Sequence, residues 1–185
     1  VDFTGKRVGV IGTGSSGIQA IPVIAEQAEH LHVFQRSPNF SVPAENRPLD
    51  ADWVAQFKTN YREHRRLHKH GLTSGFGDLD IEANERSPMA DTAEGLSAEE
   101  VADILNPYWE RGGAFFLAAF ADSLMSPVTN KAVADFVRGK IRQIVKDPAT
   151  ADVLCPTDHP IGSKRICVDT DYYATYNREN VTLVD

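Results

Sequence analysis

A glycine motif near the start of the chain, Gly-Thr-Gly-Ser-Ser-Gly at residues 12–17, restricts the folds that the chain can adopt. The run Arg7–Ile11 precedes the motif, and its β-branched residues predict a strand that is buried on both faces. Apolar residues at helical spacing follow from Ile18 to Ala28 and predict a helix. A strand, a glycine turn and a helix in this order are typical of a dinucleotide-binding unit. The alternative interpretation is a tight strand-to-helix turn without a ligand.

The residues of the motif have different predicted tasks. Gly12 makes the tight turn, Gly14 lets the backbone approach a pyrophosphate, and Gly17 allows the helix to pack closely on the strand. The helix N-terminus offers unpaired N–H groups to the phosphates, and the hydroxyl groups of Ser15 and Ser16 are further donors. We therefore expect the phosphates of a dinucleotide to bind at this turn.

The end of the second predicted strand, His32–Phe34, indicates which dinucleotide binds. NAD and FAD sites usually place Asp or Glu about 20 residues beyond the glycine motif, where the acid binds a ribose hydroxyl. Here the sequence is Gln-Arg-Ser at residues 35–37, and the first acid after it is Glu45. Arg36 and Ser37 would bind a 2′-phosphate that a carboxylate would repel. This pattern predicts NADP(H), and the alternative is that Arg36 is an ordinary solvated arginine.

The chain divides into three predicted regions, which are 1–44, 45–150 and 151–185. The first and last carry strand patterns, with return strands at Arg165–Val168 and Val181–Val184, whereas the middle region has helical patterns. We therefore predict an α/β fold, a Rossmann-like parallel sheet with a mainly helical insertion after its second strand. Three patterns in the middle region indicate helices: an aromatic residue every four positions at 53, 57 and 61, a capping box at Ser97–Glu100 and a cap at Thr129. Residues 73–93 are rich in Gly, Asp and Asn and predict a loop.

Composition excludes several classes of protein. The net charge of −7 argues against general nucleic-acid binding, and no stretch is long and apolar enough to cross a bilayer. Two cysteines, Cys155 and Cys167, are too few for a disulfide framework or a metal cluster, and we expect no secretion signal, a cytoplasmic location and inert thiols. His64 and His68 have the spacing of a metal pair, but no third ligand is evident, so a solvated helix end is the preferred interpretation.

Beyond the glycine motif, the sequence resembles the NADPH domain of the type I Baeyer–Villiger monooxygenases over nearly its whole length. The matching stretches are residues 12–19, 33–40, 42–44, 108–113, 136–138, 140–141, 145–148, 162–165, 171–173 and 176–178. The resemblance implies that NADPH binds here and reduces FAD held by another domain of the same polypeptide. It further implies that the complete enzyme uses O2 to convert a ketone to an ester or lactone.

The resemblance also implies roles for individual residues. The glycine loop, including Thr13, together with Gln19 is similar to the pyrophosphate site of the family. Arg36, Ser37 and Lys164 are similar to the group that binds the 2′-phosphate, and Arg165 is similar to the active-site arginine beside flavin and nicotinamide. Neighbouring residues of a strand point to opposite faces, so Lys164 and Arg165 would serve two different sites.

Parts of the family pattern are missing from the sequence. The fingerprint Phe-x-Gly-x-x-x-His-x-x-x-Trp-Pro and the first, FAD-binding glycine motif do not occur in it. We therefore expect a segment of a larger enzyme that is inactive alone. The alternatives are a related flavin monooxygenase that oxidises nitrogen or sulfur, and a non-catalytic NADP(H)-binding module in which Arg165 has no chemical task.

Overall fold

The computed structural model describes residues 1–44, 46, 48–70 and 90–185. The chain divides into two compact units, one comprising Val1–Glu45 with Pro88–Asp185 and the other Asn46–Ser87. In chain order the described elements are β1 (Arg7–Ile11), α1 (Ser15–Gln27), β2 (His30–Phe34), β3 (Ser41–Pro43), α2 (Ala51–Thr59), α3 (Tyr61–His70), α4 (Ala98–Arg111), a 3₁₀ helix (Ala114–Ala119), α5 (Pro127–Ile144), α6 (Pro148–Leu154), β4 (Cys167–Asp169), α7 (Tyr172–Thr175) and β5 (Val181–Val184).

A three-stranded parallel sheet forms the centre of the larger unit, with the strand order β1-β2-β5. Helix α1 connects β1 to β2 and buries Ile18, Ile21 and Ala25. The strand that returns to the sheet, β5, pairs with β2 so that Val33 lies opposite Leu183. The predicted α/β fold with a parallel Rossmann-like sheet is confirmed, as are the strands at 7–11 and 181–184. The prediction that the first strand is buried on both faces is wrong, because β1 pairs with β2 alone among the described strands and none of its residues is fully buried.

A second parallel sheet consists of β3 and β4. Strand β4 begins at Cys167, where it pairs with Ser41, and not at Arg165 as the apolar pattern predicts. Because β3 offers no partner before Ser41 in this pairing, Lys164 and Arg165 lie in the loop ahead of the strand. The argument that strand alternation sends their side chains to opposite faces is therefore wrong.

The helices of the larger unit pack on the same core as the central sheet. Leu105 of α4 and Val137 of α5 belong to one buried cluster with Ile18 and Leu31. The capping box is confirmed, since Ser97 accepts from the Glu100 N–H while the Glu100 carboxylate accepts from the Ser97 N–H. The division at residues 44 and 150 stays a prediction.

The cap of α5 differs from the prediction. Ser126, and not Thr129, is the N-cap, because Pro127 takes the first position of the helix, where its missing N–H has no intrahelical partner to lose. Thr129 is buried within the first turn, where its N–H donates to Ser126 Oγ and its hydroxyl donates to Asp122 Oδ2 at 3.1 Å. The helix nevertheless ends before Pro148, as predicted.

The smaller unit contains α2 and α3. The predicted aromatic face exists, since the rings of Trp53 and Phe57 stack at 5.0 Å and Phe57 stacks on His64 at 4.9 Å. No residue of α2 is buried among the described residues, and the Trp53 side chain remains half-exposed. The predicted loop at 73–93 lies mostly outside the described residues, as does the side chain of His68. None of the described helices is both long and apolar enough to cross a membrane.

Candidate nucleotide-binding pocket

The turn between β1 and α1 is joined to the end of β2 by two hydrogen bonds. Gly12 has a φ of +97°, a conformation that side-chain-bearing residues rarely adopt, and its N–H donates to Phe34 O at 2.8 Å. The hydroxyl of Thr13 donates to Ser37 O at 3.2 Å. These contacts hold the glycine turn beside the residues that follow β2.

The N-terminus of α1 is open to a ligand. Its N-cap is Gly14, no side chain caps it, and its first turn contains no acid. Gly14, Ser15 and Ser16 are exposed, and the first N–H groups of a helix have no partner within the helix. A Cβ added to Gly17 would collide with Gly12 O, so this position needs glycine for the close approach of helix and turn. An exposed, uncapped helix N-terminus without acids favours an anion.

A pocket of about 510 Å³ lies between the glycine turn and the end of β2. It brings together six of the predicted site residues, although Lys164 is 150 positions away from Gly14 in the chain. No aspartate or glutamate occurs among the described residues that line the pocket, whereas Arg36 and Lys164 are cations. The lining residues are Ile11, Gly12, Thr13, Gly14, Phe34, Gln35, Arg36, Ser37, Pro38, Asn39 and Lys164.

Gln35 fixes the backbone from which Arg36 projects. Its N–H donates to Val184 O at 2.8 Å, and its buried side-chain amide donates to Val153 O at 3.0 Å and Asp185 Oδ1 at 3.3 Å. The end of β2 is thus attached to both β5 and α6. Arg36, the next residue, is exposed at the pocket.

Lys164 is half-exposed, and its ammonium lies 3.5 Å from Asp158 Oδ2. Asp158 Oδ1 is 2.5 Å from Nδ1 of His159, whose ring is almost fully buried. The hydrogen bond from His159, aided by the charge of Lys164, holds the pKa of Asp158 below its usual range. The Lys164 ammonium therefore faces an ionised carboxylate.

The remaining predicted residues lie outside the pocket lining. Ser15, Ser16 and Gly17 form the first turn of α1, directly after the lining residues. Gln19 is exposed and donates through Nε2 to Val168 O at 3.2 Å, which ties α1 to β4. Arg165 is exposed in the loop before β4. The structure does not bring Gln19 or Arg165 together with the lining residues.

The sequence interpretation missed Asn39, Asp158 and the contribution of Gln35. Asn39 donates to Cys167 Sγ at 3.3 Å, and its Oδ1 has no hydrogen-bond partner among the described residues. In the sequence, the position of Asp158 next to His159 was the signal that could have identified it, since a carboxylate and a neighbouring imidazole often interact.

Burial raises the pKa of both Cys155 and Cys167, which keeps these free thiols protonated near neutral pH. Among the described residues, no group of three or more His, Cys, Asp or Glu could hold a metal ion.

Fold and pocket define a Rossmann-like α/β unit of the FAD/NAD(P)-binding type, and comparisons with known proteins specify it further. No family model matches the chain. The chain is 43% identical over 188 residues to a Baeyer–Villiger monooxygenase of Pseudooceanicola batsensis. It is 42% identical over 187 residues to a phenazine N-monooxygenase of Lysobacter antibioticus. Each alignment covers 100% of this chain and 32% of the relative. A solved structure of oxidised steroid monooxygenase bound to NADP superposes with a TM-score of 0.84 at 52% identity, over 100% of this chain and 34% of that one.

The chain is therefore a homologue of the Baeyer–Villiger-type flavoprotein monooxygenases. It spans about a third of the length of the curated relatives that it matches.

Proposed function

We propose that this chain is the NADP(H)-binding segment of an FAD-dependent Baeyer–Villiger monooxygenase that converts a ketone to an ester or lactone. The observation that carries the proposal is the pocket itself. Arg36, Ser37 and Lys164 line the same cavity as the glycine turn, and no described lining residue is an acid. Two cations and a hydroxyl fit a 2′-phosphate, and the absence of a lining carboxylate disfavours NAD(H).

The residues present fit the pyrophosphate and the 2′-phosphate of a dinucleotide. The uncapped N-terminus of α1, with Gly14, Ser15 and Ser16, binds the pyrophosphate, and Gln19 supports this loop from the side of β4. Arg36, Ser37 and Lys164 bind the 2′-phosphate. When bound, NADPH would supply the hydride for the reduction of FAD held by another domain of the polypeptide, and FAD would supply the chemistry with O2.

Arg165 is assigned to the active site beside the flavin and the nicotinamide. It is exposed in the loop before β4, one residue after the phosphate-binding Lys164. Arginine carries a fixed positive charge in proteins, so Arg165 would stabilise negative charge that develops during oxygen transfer. The location of the enzyme is proposed to be the cytoplasm, with no membrane or nucleic-acid partner.

Replacing Arg36 tests the coenzyme preference. In the intact enzyme, Arg36→Ala removes a charge-assisted contact with the 2′-phosphate, so we expect the KM for NADPH to rise about 10- to 100-fold, which corresponds to about 1.5–3 kcal/mol. The KM for NADH should stay within about twofold, because NADH carries no 2′-phosphate. Steady-state kinetics with both coenzymes measure this.

The matched control is Arg7→Ala. Arg7 is exposed at the opposite end of the same sheet, and its loss should leave both KM values unchanged. An Arg36→Ala variant that weakens NADPH and NADH equally would refute the assignment of the 2′-phosphate site.

One observation favours a second candidate function, because a relative at 42% identity is named a phenazine N-monooxygenase. An enzyme that oxidises nitrogen, or sulfur, could use the same NADP(H) pocket. Assays of the intact enzyme with a cyclic ketone, an aromatic N-heterocycle and a sulfide separate these activities. Ester or lactone formation supports the first proposal, and exclusive N- or S-oxide formation supports the second.

A further inference from the structure

Lys164 takes part in two arrangements that compete for its charge. Its side chain lines the nucleotide pocket, and its Nζ lies 3.5 Å from Asp158 Oδ2. Asp158 does not line that pocket but a neighbouring cavity of about 460 Å³. The cation that would bind a 2′-phosphate is therefore also paired with a carboxylate of the protein.

Asp158 is held in place more firmly than an ordinary surface acid. Its Oδ1 lies 2.5 Å from His159 Nδ1, and since a carboxylate only accepts, Nδ1 carries the proton. The His159 side chain is only 8% exposed, and its ring packs edge-on against Phe40 with the centroids 5.4 Å apart. The buried ring thus anchors one carboxylate oxygen while the other faces Lys164.

We propose that Asp158 is a specificity-determining residue that weakens the binding of the 2′-phosphorylated coenzyme by competing for Lys164. A phosphate entering the pocket must share the Lys164 ammonium with Asp158 and is repelled by the same carboxylate. A coenzyme without the 2′-phosphate meets neither effect. Asp158 therefore lowers the affinity for NADP(H) and raises its dissociation rate. This inference rests on the proposed NADP(H) function.

The partial exposure of the ion pair bounds the size of the effect. The side chains of Lys164 and Asp158 are 46% and 52% exposed, so solvent screens their interaction. Exposed ion pairs contribute at most about 1 kcal/mol, which corresponds to about a fivefold change in affinity. We expect Asp158 to weaken NADP(H) binding about three- to fivefold at low salt.

The test is Asp158→Asn in the intact enzyme. Asparagine has the same shape and can still accept a hydrogen bond from His159, but it carries no charge. We expect the Kd of NADP+, measured by isothermal titration calorimetry at low salt, to fall about three- to fivefold, and that of NAD+ to stay unchanged. High salt should shrink the gain, because counterions screen partly exposed charges.

Asp152→Asn is the matched control. Asp152 is an exposed aspartate whose Oδ1 lies 2.9 Å from Arg142 Nε, and it does not line the nucleotide pocket. The control makes the same change in net charge, so it should leave both Kd values unchanged. An equal gain in NADP+ affinity in the control would show that the effect comes from overall charge, and it would overturn the proposal.

The possible outcomes separate the inference from the proposed function. Unchanged or weaker binding of NADP+ by Asp158→Asn, with the wild-type preference for NADP+ intact, overturns only the role of Asp158. A wild-type enzyme without preference for NADP+ over NAD+ overturns the proposed function itself. Should Asp158→Asn fail to fold, Asp158→Ser serves as a second uncharged variant with the same expected gain.

Discussion

At Gly17 a single missing Cβ lets the helix and the turn approach each other. In Gly17→Ala the new methyl would collide with the backbone oxygen of Gly12, which no side-chain rotation can relieve. We expect the free energy of unfolding to fall by about 1–3 kcal/mol, and chemical denaturation of the intact enzyme measures this.

The control for this substitution is Gly139→Ala in helix α5. A Cβ added to Gly139 meets no atom within 4 Å, and alanine is the better helix former. The control should therefore gain about 0.5–1 kcal/mol of stability. A Gly17→Ala variant that is as stable as its control would contradict the steric argument.

A buried acid, Asp169, links β4 to β3 in addition to their backbone pairing. Asp169 accepts from the hydroxyl of Ser41 on β3 and from the N–H of Tyr172 at 2.9 Å. Burial raises the pKa of Asp169 although both hydrogen bonds lower it. Folding thus favours the protonated acid, and the stability it contributes is lost as the pH rises from the usual aspartate value through the raised pKa.

Asp169→Asn tests this linkage. The amide cannot ionise, so the stability of the variant relative to the wild type should increase as the pH rises from about 3 to 7. Thermal unfolding of both proteins across this range measures the difference. A difference that is independent of pH would contradict the raised pKa.

Asp147→Asn supplies a control with the opposite sign. Asp147 caps α6, and its hydrogen bonds from Thr150 lower the pKa of its carboxyl group. Its contribution is present above the usual aspartate value and is lost as the pH falls through the lowered pKa. The variant should therefore lose stability relative to the wild type as the pH rises.

The sheet and the helices of the larger unit pack on one hydrophobic core. Leu31 of β2 and Ile141 of α5 belong to the same buried cluster. Gln35 additionally attaches the end of β2 to α6 and β5. Packing of this kind explains why the walls of the pocket can come from parts of the chain as distant as Gly12 and Lys164.

In the intact enzyme, Arg165→Ala distinguishes a monooxygenase from a passive NADP(H)-binding module. If Arg165 has the proposed catalytic role, ketone oxidation should fall at least about 100-fold, because the substitution removes a fixed positive charge from the active site. The Kd of NADP+ should change less than about threefold, because Arg165 does not line the pocket. Turnover assays and coenzyme titration measure the two quantities.

Arg142→Ala is the control for Arg165→Ala. Arg142 is a half-exposed arginine that is paired with Asp152 at 2.9 Å, and its removal should leave ketone oxidation unchanged. Unchanged oxidation in Arg165→Ala itself would refute the catalytic assignment and favour the passive module.

The sequence alone was enough for the features that depend on neighbouring residues. The apolar run before Gly12, the glycine spacing and the capping box at Ser97 each predict local structure correctly, because steric freedom and hydrogen bonding act within a few residues. The family resemblance grouped Arg36 with Lys164, and both residues line one pocket. The order of strand, glycine turn and helix predicted a parallel sheet, but the place of β5 beside β2 was not predicted.

Only the tertiary structure decided features that depend on distant parts of the chain. The start of β4 at Cys167 follows from its pairing with Ser41, which no local pattern reveals. The contact of Asp158 with Lys164 is likewise invisible in the sequence, since loop backbone and a buried His159 ring determine where the carboxylate points. Local backbone preferences determine most helices and strands of this protein, but packing between these elements determines where the charged side chains at its pocket lie.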